Sequence, residues 1–257
     1  MSACLLAAAC KPGMGTSGHG KGDGFIEIMR YDRLQSRYLT TGDFSALQEM
    51  NTTYPQQTRT LIEDILELGP VDDPSINNAM LDFYQDSTLQ AVIVEAEAQY
   101  ASMDDIGEKL GNAFGKLSEM IPGLETPSVY AQIGALGQSV VIGEHSIGIS
   151  LDKYLGADYP PYLKYYQAQA RLSMQRRNIV PDCVSFYLLS LYPMDGKGKQ
   201  TQREKDLHMG KIMWVANKAL GEKFFRTKFV EHVGKYMASH PGTDMAELLE
   251  NNDYTIF

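Results

Sequence analysis

Histidines are the side chains in this chain most able to bind a metal or move a proton, and they stand at His19, His145, His208, His232 and His240. A zinc peptidase of the commonest helical type carries H-E-x-x-H, with two histidines on one helix face and glutamate as the general base. That motif is absent. Residues 208–212 read His-Met-Gly-Lys-Ile, so methionine replaces the glutamate and isoleucine replaces the second histidine. Such a segment cannot hold zinc or activate its water in the usual way, and we expect no metal site.

Asp152 has two possible roles. Its carboxylate could act as a ligand or a base, or it could cap its own turn or pair with Lys153 or Arg171. The structural role is favoured, because buried carboxylates in hydrogen-bond networks are commoner than catalytic ones.

Tyrosines cluster just after Asp152, at Tyr154, Tyr159, Tyr162, Tyr165 and Tyr166. Their amphipathic rings could line a groove for sugar or peptide. The last three lie at i, i+3 and i+4, which would place them on one helix face and favours a role in the core. Both interpretations stay open at this stage.

Other catalytic signatures are missing. The N-terminal glycines precede no Lys-Ser/Thr pair, no G-x-S-x-G occurs, and no stretch has the spacing of a calcium loop. Cys183 lies among apolar residues at helical spacing and is expected to be a small buried hydrophobe. We therefore predict a protein that is not an enzyme and binds no cofactor.

The elements that would position these residues are mostly helices. Aspartates at 43 and 86 are predicted helix caps, and residues 54–68 read as a helix that begins at Pro55. Residues 127–133, 138–142 and 146–150 are short, β-branched and separated by glycine-containing turns. They predict a small antiparallel sheet near residues 127–150. Further helices are predicted from about 163 to 174, from Pro181 to 191, and through 208–220. The fold class is α+β: a mostly helical single domain, weakly resembling zinc peptidases but without the metal motif.

The N-terminus differs from the rest of the chain. Leu5 to Ala9 are apolar or small, Cys10 follows, and six glycines fall between Gly13 and Gly24. This order resembles a bacterial lipoprotein leader, in which the chain is cut before a cysteine that then carries lipid. The resemblance implies a residual leader at 1–9, a lipidated Cys10 with a tether through residue 24, and a globular domain at 25–257. The alternative is a frayed, alanine-rich terminus of a cytosolic protein.

Composition excludes some partners. The chain has 257 residues and a formal net charge of −9. Nucleic acid is therefore not expected as a partner, because phosphate binding needs a basic surface. No apolar run is long enough to span a membrane.

Three segments, taken together, are similar to the motifs of a known family. They are IGISLDKYLGADYPPY at 147–162, IMRYDR at 28–33 with the Tyr-Pro helix at 50–69, and HMGKIMWVANKAL at 208–220. Together they resemble the gliding-motility lipoprotein family GldB of the Bacteroidetes. The resemblance covers most of residues 25–220. The last forty residues lack a Trp-rich segment, and the chain has a single tryptophan, Trp214, which is typical of a divergent relative.

The resemblance implies a lipoprotein attached to the outer membrane, with the bilayer as partner through acylated Cys10 and an envelope protein complex as a further partner. It also marks signature residues that could bind a ligand: Asp152, Tyr154, Leu155, Gly156, Tyr159, His208, Gly210 and Lys211. We expect a non-catalytic accessory or scaffold.

Two other functions remain as alternatives. The first is a degenerate peptidase-like fold that binds peptide or glycan, which predicts a concave site lined by Tyr154, Tyr159 or Tyr162. The second is an unrecognised hydrolase, which predicts His208 or His145 within hydrogen-bond reach of Asp152 or a glutamate. A scaffold instead predicts exposed apolar side chains.

Overall fold

The computed structural model describes residues 24–195 and 200–257. The predicted leader at 1–9, Cys10 and all of the predicted tether except Gly24 lie outside the described residues.

Within those ranges the chain forms α-helices and four short strands. The helices are α1 Tyr31–Thr41, α2 Phe44–Thr53, α3 Pro55–Arg59, α4 Ile76–Tyr84, α5 Ser87–Gln99, α6 Asp104–Met120, α7 Pro160–Tyr165, α8 Ala168–Arg171, α9 Ile179–Leu191, α10 Gln202–Leu220, α11 Lys228–Ser239 and α12 Met245–Glu250. The strands are β1 Ile28–Met29, β2 Ser128–Gln132, β3 Val140–Gly143 and β4 Ser146–Ser150.

Local sequence explains where several helices begin. The Asp43 carboxylate accepts hydrogen bonds from two backbone N–H groups at the start of α2, and Asp86 does the same for α5. Pro55 occupies the first turn of α3, where its missing N–H costs nothing. The predicted single helix at 54–68 is instead α3 followed by a π-helical turn at Thr60–Ile65.

The sheet has the strand order β1-β2-β4-β3. β1 and β2 pair in parallel, β2 and β4 pair in parallel, and β3 and β4 pair antiparallel. The predicted all-antiparallel sheet is therefore wrong: the sheet is mixed. The reason is burial, since four of the five β4 residues are buried and only one of the four in β3. The more completely buried strand takes the central position and β3 takes the edge.

One hydrophobic core connects the sheet to the helices around it. Helix α6 contributes a stripe of buried residues at helical spacing, which includes Ile106, Leu110, Phe114 and Leu117. Cys183 on α9 is fully buried, as predicted. The α+β class, mostly helical with one small sheet, is confirmed.

Candidate functional site

The loop between β2 and β3 is bonded by Asp152, the first of the signature residues. Ala135 and Leu136 both have positive φ, at 51° and 65°, which side-chain-bearing residues rarely adopt. The side chain of Gln35 bonds both backbone groups of Ile133, and the Tyr84 hydroxyl donates to the same carbonyl at 2.8 Å. A backbone with positive φ at two successive residues persists only where the surrounding residues stabilise it. The bonds from Gln35 and Tyr84 supply part of that stabilisation.

Asp152 supplies the next contacts of this loop. It is fully buried in the 3₁₀ turn after β4. One carboxylate oxygen accepts the Gly134 N–H at 2.7 Å and the other accepts the Leu136 N–H at 2.5 Å. Burial raises the pKa of Asp152, and these two backbone bonds oppose that rise. The carboxylate thus holds the 134–136 backbone rather than pairing with Lys153 or Arg171.

Lys153 and two tyrosines complete this hydrogen-bonded cluster. The Lys153 ammonium donates to the Leu136 carbonyl at 3.2 Å and to the Tyr166 hydroxyl at 3.0 Å. The Tyr166 hydroxyl donates to the same carbonyl at 2.6 Å. Tyr162 is buried, and its hydroxyl donates to the Asp152 carbonyl while accepting the N–H of Leu155. These contacts fix the chain on both sides of α7.

Tyr154 links the cluster to α9. Its hydroxyl donates to the Asp182 carboxylate at 2.9 Å, and its carbonyl accepts the Tyr100 hydroxyl at 2.7 Å. Burial raises the pKa of Asp182 to about 6, although the bond from Tyr154 opposes the rise. The contact between Tyr154 and α9 therefore involves a carboxyl group whose pKa lies closer to neutral pH than that of an ordinary aspartate.

The remaining signature residues shape the turn into α7. Leu155 is buried and forms an isolated antiparallel bridge with Gln175. Gly156 has φ of +112°, which glycine adopts without strain. Tyr159 is partly buried, and its ring packs edge-on against Tyr162, with 5.1 Å between centroids.

Helix α10 carries the second group of signature residues. Thr201 and Glu204 form a reciprocal capping box at its start. The His208 ring is buried, with Nδ1 3.1 Å from the Tyr254 hydroxyl, which itself donates to the Asn252 side chain. Among the described residues, Nε2 of His208 has no hydrogen-bond partner. Burial and the nearby charge of Lys211 lower the pKa of His208 to about 4, so the ring is neutral at pH 7.

Lys211 and Gly210 also act on the C-terminal part of the chain. The Lys211 ammonium is fully buried and donates to the carbonyls of Leu249 and Asn251, at 3.3 and 2.5 Å. Burial lowers the pKa of Lys211 to about 8. A Cβ on Gly210 would lie 2.9 Å from Phe229, so glycine permits the close approach of α11. The Gly-Lys pair therefore holds α11 and the end of α12 against α10.

The histidines and Asp152 do not form a common site. Asp152 bonds the 134–136 loop, and the hydrogen bond of His208 is to Tyr254. His145 lies 3.1 Å from Glu125, a pairing that the hydrolase alternative predicted, but the two side chains are 69% and 74% exposed. In the part of the chain that the structure describes, no three His, Cys, Asp or Glu side chains come together as metal ligands.

Two residues central to the site escaped the sequence analysis. Gln35 and Tyr84 both bond Ile133, although the chain separates them from it by 98 and 49 positions. The glycines at 134 and 137 were the available signal, since they mark a turn with unusual backbone angles. Nothing in the local sequence indicates which distant side chains would stabilise that turn.

The segment that follows the signature presents apolar side chains to solvent. Leu163, Tyr165 and Leu172 are 55%, 54% and 54% exposed. The predicted helix at 163–174 is wrong, because Tyr166 adopts extended backbone angles and separates α7 from α8. Tyr162 is buried, as the core interpretation predicted, whereas Tyr165 points outward.

The first residues that the structure describes pack on α6. A Cβ on Gly111 would lie 1.8 Å from the Gly24 carbonyl oxygen, and one on Gly107 would lie 2.5 Å from the Ile26 carbonyl oxygen. The Ile26 N–H donates to the Gly107 carbonyl at 3.1 Å. These two glycines therefore form the surface against which residues 24–26 pack.

Within residues 24–195 and 200–257, no helix has the length and apolar character needed to cross a membrane. No curated protein and no solved structure gave a match to the chain. A family model described as "Gliding motility protein GldB" matches residues 22–229, about four-fifths of the chain. The match includes the β4–α7 signature and the His208–Lys211 segment, and the chain belongs to the GldB gliding-motility lipoprotein family.

Proposed function

We propose that this protein is a lipid-anchored accessory or scaffold of the outer membrane, held through acylated Cys10 and acting in an envelope complex associated with gliding motility or secretion, without catalytic activity of its own. The observation that carries the proposal is the contrast between the signature residues and the segment beside them. Asp152, Tyr154 and Lys211 bond other parts of the chain, whereas Leu163, Tyr165 and Leu172 face solvent.

This contrast favours docking over catalysis. Asp152, Tyr154 and Lys211 form their side-chain hydrogen bonds with other parts of the protein, so these groups are not available to bind a substrate. The α7–α8 segment is held firmly by Tyr162, Tyr166 and the bond from Arg171 to the Ala157 carbonyl. A rigid apolar surface loses little conformational entropy when a partner covers it.

The anchor is tested by intact-mass spectrometry of the protein from its native membrane fraction. We expect a chain that starts at Cys10 and carries acyl mass, and we expect Cys10→Ala protein in the soluble fraction. Two acyl chains bury enough CH₂ groups, at about 0.8 kcal/mol each, for stable attachment. An unmodified chain that is soluble in both forms would refute the anchor.

Docking is tested by replacing Leu163, Tyr165 and Leu172 with serine in the producing cells. The matched control replaces three exposed apolar residues elsewhere, Phe44, Phe186 and Ile256. We expect the first variant to lose its high-mass envelope complex on native gels and to spread poorly on a surface, while the control keeps both. If both variants retain the complex, the α7–α8 surface is not the docking surface.

A further inference from the structure

A cleft of about 840 Å³ lies beside Gly24, the first residue that the structure describes. Helix α6 forms one wall, the start of α9 with the turn before it forms another, and the end of α10 with the following loop forms the third. Its apolar lining includes Ile106, Val180 and Leu220. This cleft is separate from the signature loop and from the His208 and Lys211 side chains.

Positive charge dominates the cleft. Lys109 and Lys116 reach it from α6, and Arg177 reaches it from the turn before α9. Among the described residues, none of these three cations forms an ion pair with a carboxylate. A fourth cation, Arg176, is neutralised by Asp105 at 2.5 Å.

Few acidic side chains line the cleft. Glu222 is the remaining carboxylate of the lining, so the cleft carries a net charge of about +2 once the Arg176–Asp105 pair is set aside. The start of α9 and the end of α10 both border it, and their opposite dipole ends largely offset each other. The basic side chains therefore set its potential, on a protein whose net charge is −9.

The cleft also lies next to Gly24, the last residue of the predicted tether. Asn112, which lines the cleft, has its side-chain oxygen 3.7 Å from where a Cβ on Gly24 would be. Thirteen residues, Lys11 to Asp23, separate Cys10 from Gly24, the first residue that the structure describes. Thirteen residues reach at most about 45 Å when fully extended. A lipid on Cys10 would thus hold this face of the domain nearer to the membrane than the opposite face.

We infer that this cleft, through Lys109, Lys116 and Arg177, binds the anionic phospholipid headgroups of the membrane to which the chain is tethered. The inference rests on the proposed lipid anchor and deepens it. Headgroup phosphates complement the unpaired cations, and the negative protein surface elsewhere is repelled by the same membrane. The consequence is a fixed orientation, with α6 toward the bilayer.

The test uses the full chain with Cys10→Ala, so that its outcome does not depend on lipidation. Co-sedimentation is measured with phosphatidylcholine vesicles, with and without phosphatidylglycerol. Lys109, Lys116 and Arg177 are replaced together by alanine. The matched control replaces the exposed Lys164, Lys205 and Lys235, so the net charge changes equally in both variants.

We expect binding that requires phosphatidylglycerol, weakens as salt rises, and falls by up to about 100-fold in the cleft variant while the control keeps it. Circular dichroism checks that both variants are folded. Absence of binding, or equal weakening in both variants, would overturn the inference. So would binding of inorganic phosphate without any vesicle preference, which would identify a small-anion site instead. The mass spectrum of Cys10 separately decides the anchor.

Discussion

The buried ring of His208 should make the fold sensitive to mild acid. Its pKa is about 4 in the folded protein, against 6.5 for an unperturbed histidine. Between those values the unfolded chain binds more protons than the folded one, so lowering the pH favours unfolding. The stability associated with the neutral ring is fully present above about pH 6.5 and is lost as the pH falls toward about 4.

The size of this effect follows from the two pKa values. At about 1.36 kcal/mol per pH unit, linkage gives an upper bound of about 3 kcal/mol. Between about pH 7 and about pH 4.5, an interval that stops short of the lower pKa, the same linkage gives about 2 kcal/mol. Burial is the main cause of the lowered pKa, and the charge of Lys211 adds to it.

The assay is urea unfolding of the wild type and of His208→Gln at about pH 7 and about pH 4.5. The wild type should lose about 2 kcal/mol more between these conditions than the variant, because glutamine does not titrate. His232→Gln, at an exposed position on α11, is the matched control and should behave like the wild type. Equal losses in the wild type and His208→Gln would refute the reasoning.

Three further predictions concern the buried contacts. Lys211→Met leaves two carbonyls of the C-terminal segment without a donor and should lower Tm by about 4–8 °C, corresponding to about 2 kcal/mol, measured by calorimetry. Asp152→Asn replaces one accepting oxygen with an NH₂ group that faces a backbone N–H, and should lower the free energy of unfolding by about 3 kcal/mol, measured in urea. An unchanged unfolding midpoint would show that the carboxylate does not hold the loop. Gly111→Ala should displace residues 24–26 and speed hydrogen exchange at the Ile26 amide, whereas Gly115→Ala, with open space around it, should leave that amide protected.

Much of the local structure was predictable because it depends on neighbouring residues. The aspartates at 43 and 86 cap their helices through backbone N–H groups two and three positions away. The apolar stripe of α6 and the burial of Cys183 follow from helical spacing. The family was also readable, since its motifs are short continuous segments.

Strand order was not predictable in this way. The antiparallel sheet was predicted because the connections between the strands are short. The structure instead places β4 in the interior of the sheet, where the core covers it most completely. Placing β4 beside β2 requires the 133–139 loop to skip a strand position, and residues far away in the chain stabilise that loop. Competition for burial among distant segments is a property of the whole fold.

The sequence by itself determined most of the helices, the three main strands, the charge balance and the family. Only the tertiary structure decided what the signature residues touch: Asp152 holds a distant loop, and Lys211 holds the C-terminal segment. It also decided that Lys109 and Lys116 share a cleft with Arg177, which is more than sixty positions away from both. The reason is physical: hydrogen-bond partners and charge clusters are set by packing between elements, which residue spacing along one element does not encode.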